Sequence, residues 1–115
     1  MQKNSPETKD SPVASNRGAS TNALQLLWFS AQWCGPCQQM APTYSAINES
    51  YGGVIDIKKI DVDEYPELAN DYQVRGVPSL VLINGNSVLD RQVGALPLAA
   101  LDDWLKKAVN THNVT

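Results

Sequence analysis

The chain contains two cysteines, and only two residues separate them. They lie in the segment Trp33-Cys34-Gly35-Pro36-Cys37. A cysteine reacts as the thiolate, and in a Cys-x-x-Cys pair the second sulfur is close enough to attack a mixed disulfide formed at the first. The spacing therefore predicts dithiol–disulfide exchange, with Cys34 as the attacking thiol and Cys37 as the resolving thiol.

The elements around this pair support the same chemistry. The apolar run Leu24–Ser30 has the composition of a buried strand, and residues 38–51 have helical spacing, so the cysteines lie where a strand passes into a helix. A thiol at a helix N-terminus meets free backbone N–H groups and the positive end of the helix dipole, which both lower its pKa. Gly35 and Pro36 allow the turn to form and stiffen it, so we expect Cys34 to be an activated thiol.

Two other interpretations of the pair are weaker. Cys-x-x-Cys is also half of a zinc site, but such a site needs two more ligands and His112 is the one histidine of the chain. Two inert core cysteines would not need Gly-Pro between them at a strand-to-helix junction. We therefore expect no metal ligands and a redox-active disulfide.

The remaining pattern predicts an α/β fold. Residues 54–62 form a second predicted strand, and a short helix is expected over 66–72. Strands over 79–83 and 88–93 should form a hairpin through Asn84-Gly85-Asn86, because Asn-Gly between apolar runs is a strong hairpin signal. An amphipathic helix over 98–109 should place Leu98, Leu101, Leu105 and Ala108 on one face. This order predicts a central mixed β-sheet with a parallel centre, an antiparallel edge and helices on both faces.

Composition and charge limit the partners. The net charge is −3 and basic residues occur at most in pairs, which argues against nucleic acid or an anionic membrane surface as a partner. No run approaches the roughly 20 apolar residues that span a bilayer. Residues 1–20 are polar and have no apolar core of a secretory signal, so we expect a flexible arm there and a cytoplasmic location. One domain is predicted over 21–110, with a tail over 111–115.

The sequence from about residue 24 to residue 109 resembles the thioredoxins. The segment Trp33–Cys37 matches their active-site pentapeptide residue for residue. Further matches are Pro42, Lys59, Arg75-Gly76-Val77-Pro78 and Val93-Gly94-Ala95-Leu96. The resemblance implies a thioredoxin fold.

The resemblance also assigns roles to individual residues. In the family the proline that matches Pro78 is cis and packs beside the disulfide, and the backbone just before it pairs with an extended substrate peptide. Val77 and Pro78 would then hold the substrate, Gly94 would keep the groove open, and Trp33 and Val93 would add apolar docking surface. Trp33 would also support the active site, together with Gly35 and Pro36.

The activity that the resemblance implies is reduction of protein disulfides by a protein without a bound cofactor. A flavoprotein reductase of the thioredoxin reductase type would return electrons from NADPH to the Cys34–Cys37 disulfide. The protein would act as a monomer on protein substrates.

The chain departs from the family pattern at three places. Trp28 stands where thioredoxins usually hold a buried aspartate, so Lys59 should lack its family partner and reach for solvent or lose its charge. We hypothesise that Asp61, two residues along the same strand face, replaces that carboxylate or pairs with Lys59; otherwise it is a solvated residue at a strand end.

Ser30 replaces a family tryptophan. The family's first strand and helix have no convincing match in residues 1–22, and are missing or degenerate.

These departures keep two alternatives open. The domain can be interpreted as a slow binding or assembly module that keeps the thioredoxin surface. It can also be interpreted as a thiol oxidase or isomerase with a shifted redox potential, although Gly-Pro between the cysteines favours reduction by family analogy.

Overall fold

The structure is a computed structural model, and it describes residues 23–112. Its elements in chain order are β1 (Leu24–Ser30), α1 (Gly35–Gln39), α2 (Ala41–Tyr51), β2 (Asp56–Asp61), α3 (Pro66–Asp71), β3 (Ser79–Asn84), β4 (Ser87–Val93) and α4 (Leu98–His112). Two predictions concern residues outside the described range: the flexible arm over 1–20, and the missing or degenerate first strand and helix of the family over 1–22. None of the described helices has the length and apolar character that crossing a membrane requires.

The four strands form one mixed sheet in the order β2-β1-β3-β4. β1 and β2 are parallel, whereas β3 is antiparallel to both β1 and β4. The mixed sheet is confirmed, but within residues 23–112 the parallel pair lies at one side of the sheet and not at its centre. β1 and β2 end at the same edge where β3 begins, because Phe29 lies opposite Ser79. The loops that follow β1 and β2 and precede β3 therefore meet at this edge.

Helices cover both faces of the sheet, as the pattern predicts. β1 is buried along its whole length, and alternate residues face opposite sides. Leu26 and Trp28 pack with α2 and α4, whereas Leu27 and Phe29 pack with α3. Burial on both faces explains why β1 is apolar throughout and not alternating.

The helix expected over 38–51 begins earlier and is divided in two. α1 starts at Gly35, and the chain breaks at Met40 before α2, which has Pro42 in its first turn. Proline lacks the N–H that a helix interior requires, and it is tolerated in the first turn, where that N–H has no partner. Pro42 therefore starts a second helix and does not kink a single one.

Two local predictions need correction. The hairpin turn consists of Gly85-Asn86, and only Gly85 has a positive φ, at 63°, so Asn84 ends β3 and does not lie in the turn. Leu101 and Leu105 are buried under α4, but Leu98 is 44% exposed. Side chains tilt toward the N-terminus of a helix, so the side chain of the first residue projects past the packed interface. α4 also continues to His112, two residues into the predicted tail.

Candidate active site

Cys34 and Cys37 lie at the junction between β1 and the first helix and form a disulfide, with Cα atoms 5.2 Å apart. Cys34 is the N-cap residue of α1, and the backbone N–H of Cys37 donates to the Cys34 Sγ across 3.2 Å. Gly35 and Pro36 occupy the intervening first turn. An N–H that points at a sulfur stabilises its thiolate, so in the reduced protein this contact favours ionisation of Cys34.

The loop before β3 lies against the disulfide. The Sγ of Cys34 lies 3.6 Å from the carbonyl oxygen of Val77, and the Val77–Pro78 peptide bond is cis, as the resemblance implies. The hydroxyl of Ser79 donates to the carbonyl of Gly76 across 2.6 Å and closes the turn around the proline. Cys34, Cys37 and Ala31 form a small buried cluster against which Val77 packs.

The segment after β4 meets the same loop. The N–H of Gly94 donates to the carbonyl of Pro78 across 2.8 Å, and Val93 lies opposite Ser79 in the sheet. Gly94 has a φ of 95°, which side-chain-bearing residues rarely adopt, whereas a Cβ there would meet no atom within 4 Å. The backbone conformation therefore requires glycine at this position. The open groove that the resemblance implies is a second, separate reason for glycine here.

Two large apolar side chains near the disulfide face solvent. Trp33 is 70% exposed and Val93 is 69% exposed. The indole N–H of Trp33 donates to Asp63 Oδ2 across 2.8 Å, and this contact holds the ring toward the loop after β2. The sequence analysis did not single out Asp63. The one signal for it was the presence of a second carboxylate two residues after Asp61, just beyond the end of the strand. Exposed apolar groups beside a reactive sulfur are suited to contact another polypeptide.

Trp28 fills the place of the family's buried aspartate with an aromatic ring. It is 1% exposed, and its ring packs edge-to-face on Tyr44, with centroids 5.0 Å apart. Burial raises the pKa of Tyr44 above its usual value. This part of the core therefore holds no carboxylate that could exchange a proton with the dithiol.

Lys59 and Asp61 share a strand face but form no ion pair with each other in the part of the chain that the structure describes. Lys59 is exposed, and its Nζ lies 5.4 Å from the centroid of the Tyr44 ring. Asp61 is half-buried, and its Oδ1 accepts the backbone N–H of Asp63 across 2.8 Å. The lysine thus reaches for solvent, as expected, but contacts a ring and not a carboxylate. Its partner is Tyr44 on α2, within the segment of helical spacing.

Within residues 23–112 no three His, Cys, Asp or Glu side chains come together as metal ligands. The groups at this edge of the sheet that can take part in a reaction are the disulfide, the N–H that donates to it and the cis-proline loop. Such a fold and site define a dithiol–disulfide oxidoreductase.

The thioredoxin family model matches residues 10–107, and the chain belongs to the thioredoxin family. It is 39% identical over 82 residues to thioredoxin 1 of Nostoc sp., covering 71% of this chain and 77% of that protein. It is 42% identical over 87 residues to a thioredoxin of Chlorobaculum thiosulfatiphilum, covering 76% and 77%.

Solved structures agree with this assignment. A mutant thioredoxin from Halobacterium salinarum superposes with a TM-score of 0.70 at 39% identity, over 77% of each chain. The germline-specific thioredoxin Deadhead from Drosophila gives a TM-score of 0.73 at 34% identity, over 78% of this chain and 85% of that one. The protein is therefore a thioredoxin-type protein-disulfide reductase, a class that needs no bound cofactor and works with protein substrates and a reductase.

Proposed function

We propose that the reduced protein transfers two electrons from its dithiol to a disulfide in a protein substrate. The Cys34 thiolate attacks one substrate sulfur, forms a mixed disulfide and releases the other sulfur as a thiolate, which takes up a proton. Cys37 then loses its proton and attacks the Cys34 sulfur. This step forms the Cys34–Cys37 disulfide and releases the second substrate thiol, so one disulfide is reduced and one dithiol is oxidised.

The observation that carries this assignment is the position of the Cys34 sulfur between the Cys37 N–H, at 3.2 Å, and the Val77 carbonyl, at 3.6 Å. An N–H donor at this sulfur stabilises the Cys34 thiolate, which is the form that attacks the substrate disulfide and that leaves in the resolving step. The contact with Val77 puts the same sulfur beside the loop that the resemblance assigns to substrate binding. Cys37 lies one helical turn further on, within bonding reach of the Cys34 sulfur that it attacks in the resolving step.

We propose that the substrate binds in an extended form across Val77 and Pro78. Trp33, next to Cys34 in the chain, and Val93, opposite Ser79 in the sheet, provide exposed apolar area, and their exposed fractions of 70% and 69% leave this area free for contact. Gly94 lets the chain turn away after β4 while its N–H fixes Pro78. Trp33, Gly35 and Pro36 support the site by fixing the entry to α1.

We assign Lys59 and Asp61 to active-site support. Both line a cavity together with Ala31, which packs against Cys34 and Cys37. Water in this cavity offers a route for the Cys37 proton to the Asp61 carboxylate, because Trp28 cannot accept it. An Asp61→Asn variant should then reduce disulfides more slowly with a changed pH profile. An unchanged rate and profile would leave Asp61 as a solvated strand-end residue.

We further propose that NADPH supplies the electrons through a flavoprotein reductase, that the cytoplasm is the working compartment and that the protein acts as a monomer. The family assignment supports the reductase, and a dithiol reductant needs a compartment that keeps thiols reduced. One relative is named as a chloroplastic thioredoxin, so a localisation experiment on the full chain is the test of the compartment.

The deciding experiment is NADPH-coupled reduction of insulin with a thioredoxin reductase, comparing wild type, Cys34→Ser and Cys37→Ser. We expect wild-type turnover, loss of turnover in both variants, and a trapped mixed disulfide only in Cys37→Ser. Trapping by Cys34→Ser instead would reverse the two roles. The reduction potential separates a reductant from an oxidant, since thioredoxin lies at about −270 mV and the oxidant DsbA at about −120 mV. Weak wild-type turnover would favour the binding-module alternative.

A further inference from the structure

A polar cavity of about 420 Å³ opens beside the disulfide, where β1 and β2 end and α3 approaches. We call it the Ser30 groove. Its lining includes Ser30, Ala31, Gln38, Lys59, Asp61 and Glu64. Ala31 also packs against both cysteines, so a single small residue separates the groove from the redox pair.

Ser30 gives the groove a hydroxyl group. This residue is 7% exposed, and its hydroxyl has no hydrogen-bond partner in the described part of the chain. It lies directly opposite Asp61 in the parallel register of β1 and β2. Because this hydroxyl lines the groove and bonds to no other described residue, a donor on a ligand in the groove can bond to it.

The residues that line the groove carry more negative than positive charge. Asp61 and Glu64 contribute two carboxylates, and neither forms an ion pair within residues 23–112. The single cation among the lining residues, Lys59, has its Nζ over the Tyr44 ring. Asp61 uses one oxygen for the N–H of Asp63, which leaves the other free.

The neighbouring surface shows what kind of molecule would reach this groove. Trp33 is hydrogen-bonded to Asp63, which lies between the lining residues Asp61 and Glu64 in the chain, so the proposed docking surface adjoins the segment that lines the groove. A polypeptide that docks on Trp33 therefore carries its own side chains past the opening. A long cationic side chain fits best, because a guanidinium or ammonium group donates to a hydroxyl and to carboxylates and accepts from none.

We propose that the Ser30 groove selects protein disulfides that have an arginine or lysine close to the reactive cysteine. The basic side chain donates to Ser30 Oγ and to the carboxylates of Asp61 and Glu64 while Cys34 attacks the neighbouring disulfide. This proposal rests on the proposed function, since it names a substrate class for the same site.

The test uses peptide disulfides that differ in one residue. Arginine or its uncharged isostere citrulline stands at each position flanking the reactive cysteine, and kcat/KM is measured for each peptide with the full chain. We expect arginine to be preferred by about threefold at one position, as for a partly exposed ion pair, with the preference falling as salt is raised. Glu64→Gln should bring the arginine-to-citrulline ratio close to one, whereas Glu67→Gln, a nearby exposed carboxylate outside the groove, should keep it.

Each outcome decides between the proposals. Equal kcat/KM for arginine and citrulline peptides at every position overturns the groove assignment and leaves the reductase function intact. A preference for glutamate peptides that Lys59→Gln removes overturns it in favour of anion binding. Failure to reduce any peptide or to form a mixed disulfide overturns the proposed function and the groove assignment together. Ser30→Leu gives a second check, because filling the groove should also bring the ratio to one without removing a charge.

Discussion

Trp28 and Lys59 lie opposite each other in the parallel register of β1 and β2, and Tyr44 contacts both side chains. The indole packs edge-to-face on the phenol ring, and the ammonium lies over the same ring at 5.4 Å. In the family this place is held by a buried carboxylate beside a lysine. Here two aromatic rings and a cation replace that pair, so the lysine packs over a ring and not beside a buried anion.

Returning the aspartate to this site should destabilise the protein. Trp28 is 1% exposed within the core that α2 and α4 cover, so Trp28→Asp leaves a cavity and buries a charge. We expect the free energy of unfolding to fall by about 3 to 5 kcal/mol in urea denaturation. Trp28→Phe, which keeps an aromatic ring, should lose clearly less. Equal losses in the two variants would contradict this explanation, because the buried charge and the missing aromatic ring would then add nothing to the loss of the indole.

The Tyr44–Lys59 contact should appear as a coupling energy. A double-mutant cycle with Tyr44→Leu and Lys59→Met should give about 0.5 to 1 kcal/mol, the size of an exposed cation–π interaction. The matched control replaces Lys58, the adjacent strand residue on the opposite face. We expect no measurable coupling between Tyr44 and Lys58, and coupling of the same size in both cycles would contradict a specific contact.

Alkaline pH should lower the free energy of unfolding, because the Tyr51 hydroxyl holds its proton more tightly in the folded protein. Burial and a hydrogen bond to Asp102, 2.7 Å from the hydroxyl, raise the pKa of Tyr51 to about 12 from 10.0. Between these values the unfolded chain has released the proton while the folded chain retains it. The folded state then binds more protons, so the free energy of unfolding falls as pH rises through this range.

Urea titrations from about pH 9 to about pH 11 measure this slope. Tyr51→Phe should flatten it, but not abolish it, because burial also raises the pKa of Tyr44 and, together with the charge of Asp71, that of Tyr72. A slope that is the same in wild type and Tyr51→Phe would show that the hydroxyl does not stay protonated in the folded state.

Replacing Gly94 by a residue with a side chain should destabilise the protein through backbone strain. Its φ of 95° is strained for any residue with a Cβ, although the space around it is open. We expect Gly94→Ala to lower the free energy of unfolding by about 1 to 3 kcal/mol. Gly53→Ala, where φ is not positive and a Cβ also meets nothing, is the control and should be neutral or slightly stabilising. A neutral Gly94→Ala would mean that the turn relaxes.

Local sequence predicted the elements well. β1 has the predicted bounds Leu24–Ser30, because seven consecutive residues are all buried, and the other strands and helices differ mainly at their ends. Periodicity placed Leu101 and Leu105 on one face of the last helix, where both are buried at 0% exposure. Periodicity failed at Leu98, which lies at the end of the helix. The Asn-Gly signal put Asn84 in the turn, but Asn84 ends β3 and the positive φ falls on Gly85.

Contacts between distant segments were not predictable in the same way. Trp33 bonds to Asp63, 30 residues away, and Lys59 turns to Tyr44 on another element. Spacing along one strand suggested Asp61 as the partner of Lys59. The strand face does bring these two residues together, but the conformation of a long side chain depends on which neighbour packs best.

The sequence by itself determined the chemistry of this protein. Two cysteines at a strand-to-helix junction, with Gly-Pro between them, specify a dithiol because thiol reactivity depends on local spacing and on the helix N-terminus. Only the tertiary structure decided what surrounds that dithiol: the Val77 carbonyl at the sulfur, the ring under Lys59 and the groove at Ser30. These features join strands and loops that are far apart in the chain, and the pairing of β1 with β2 and β3 brings them to one edge.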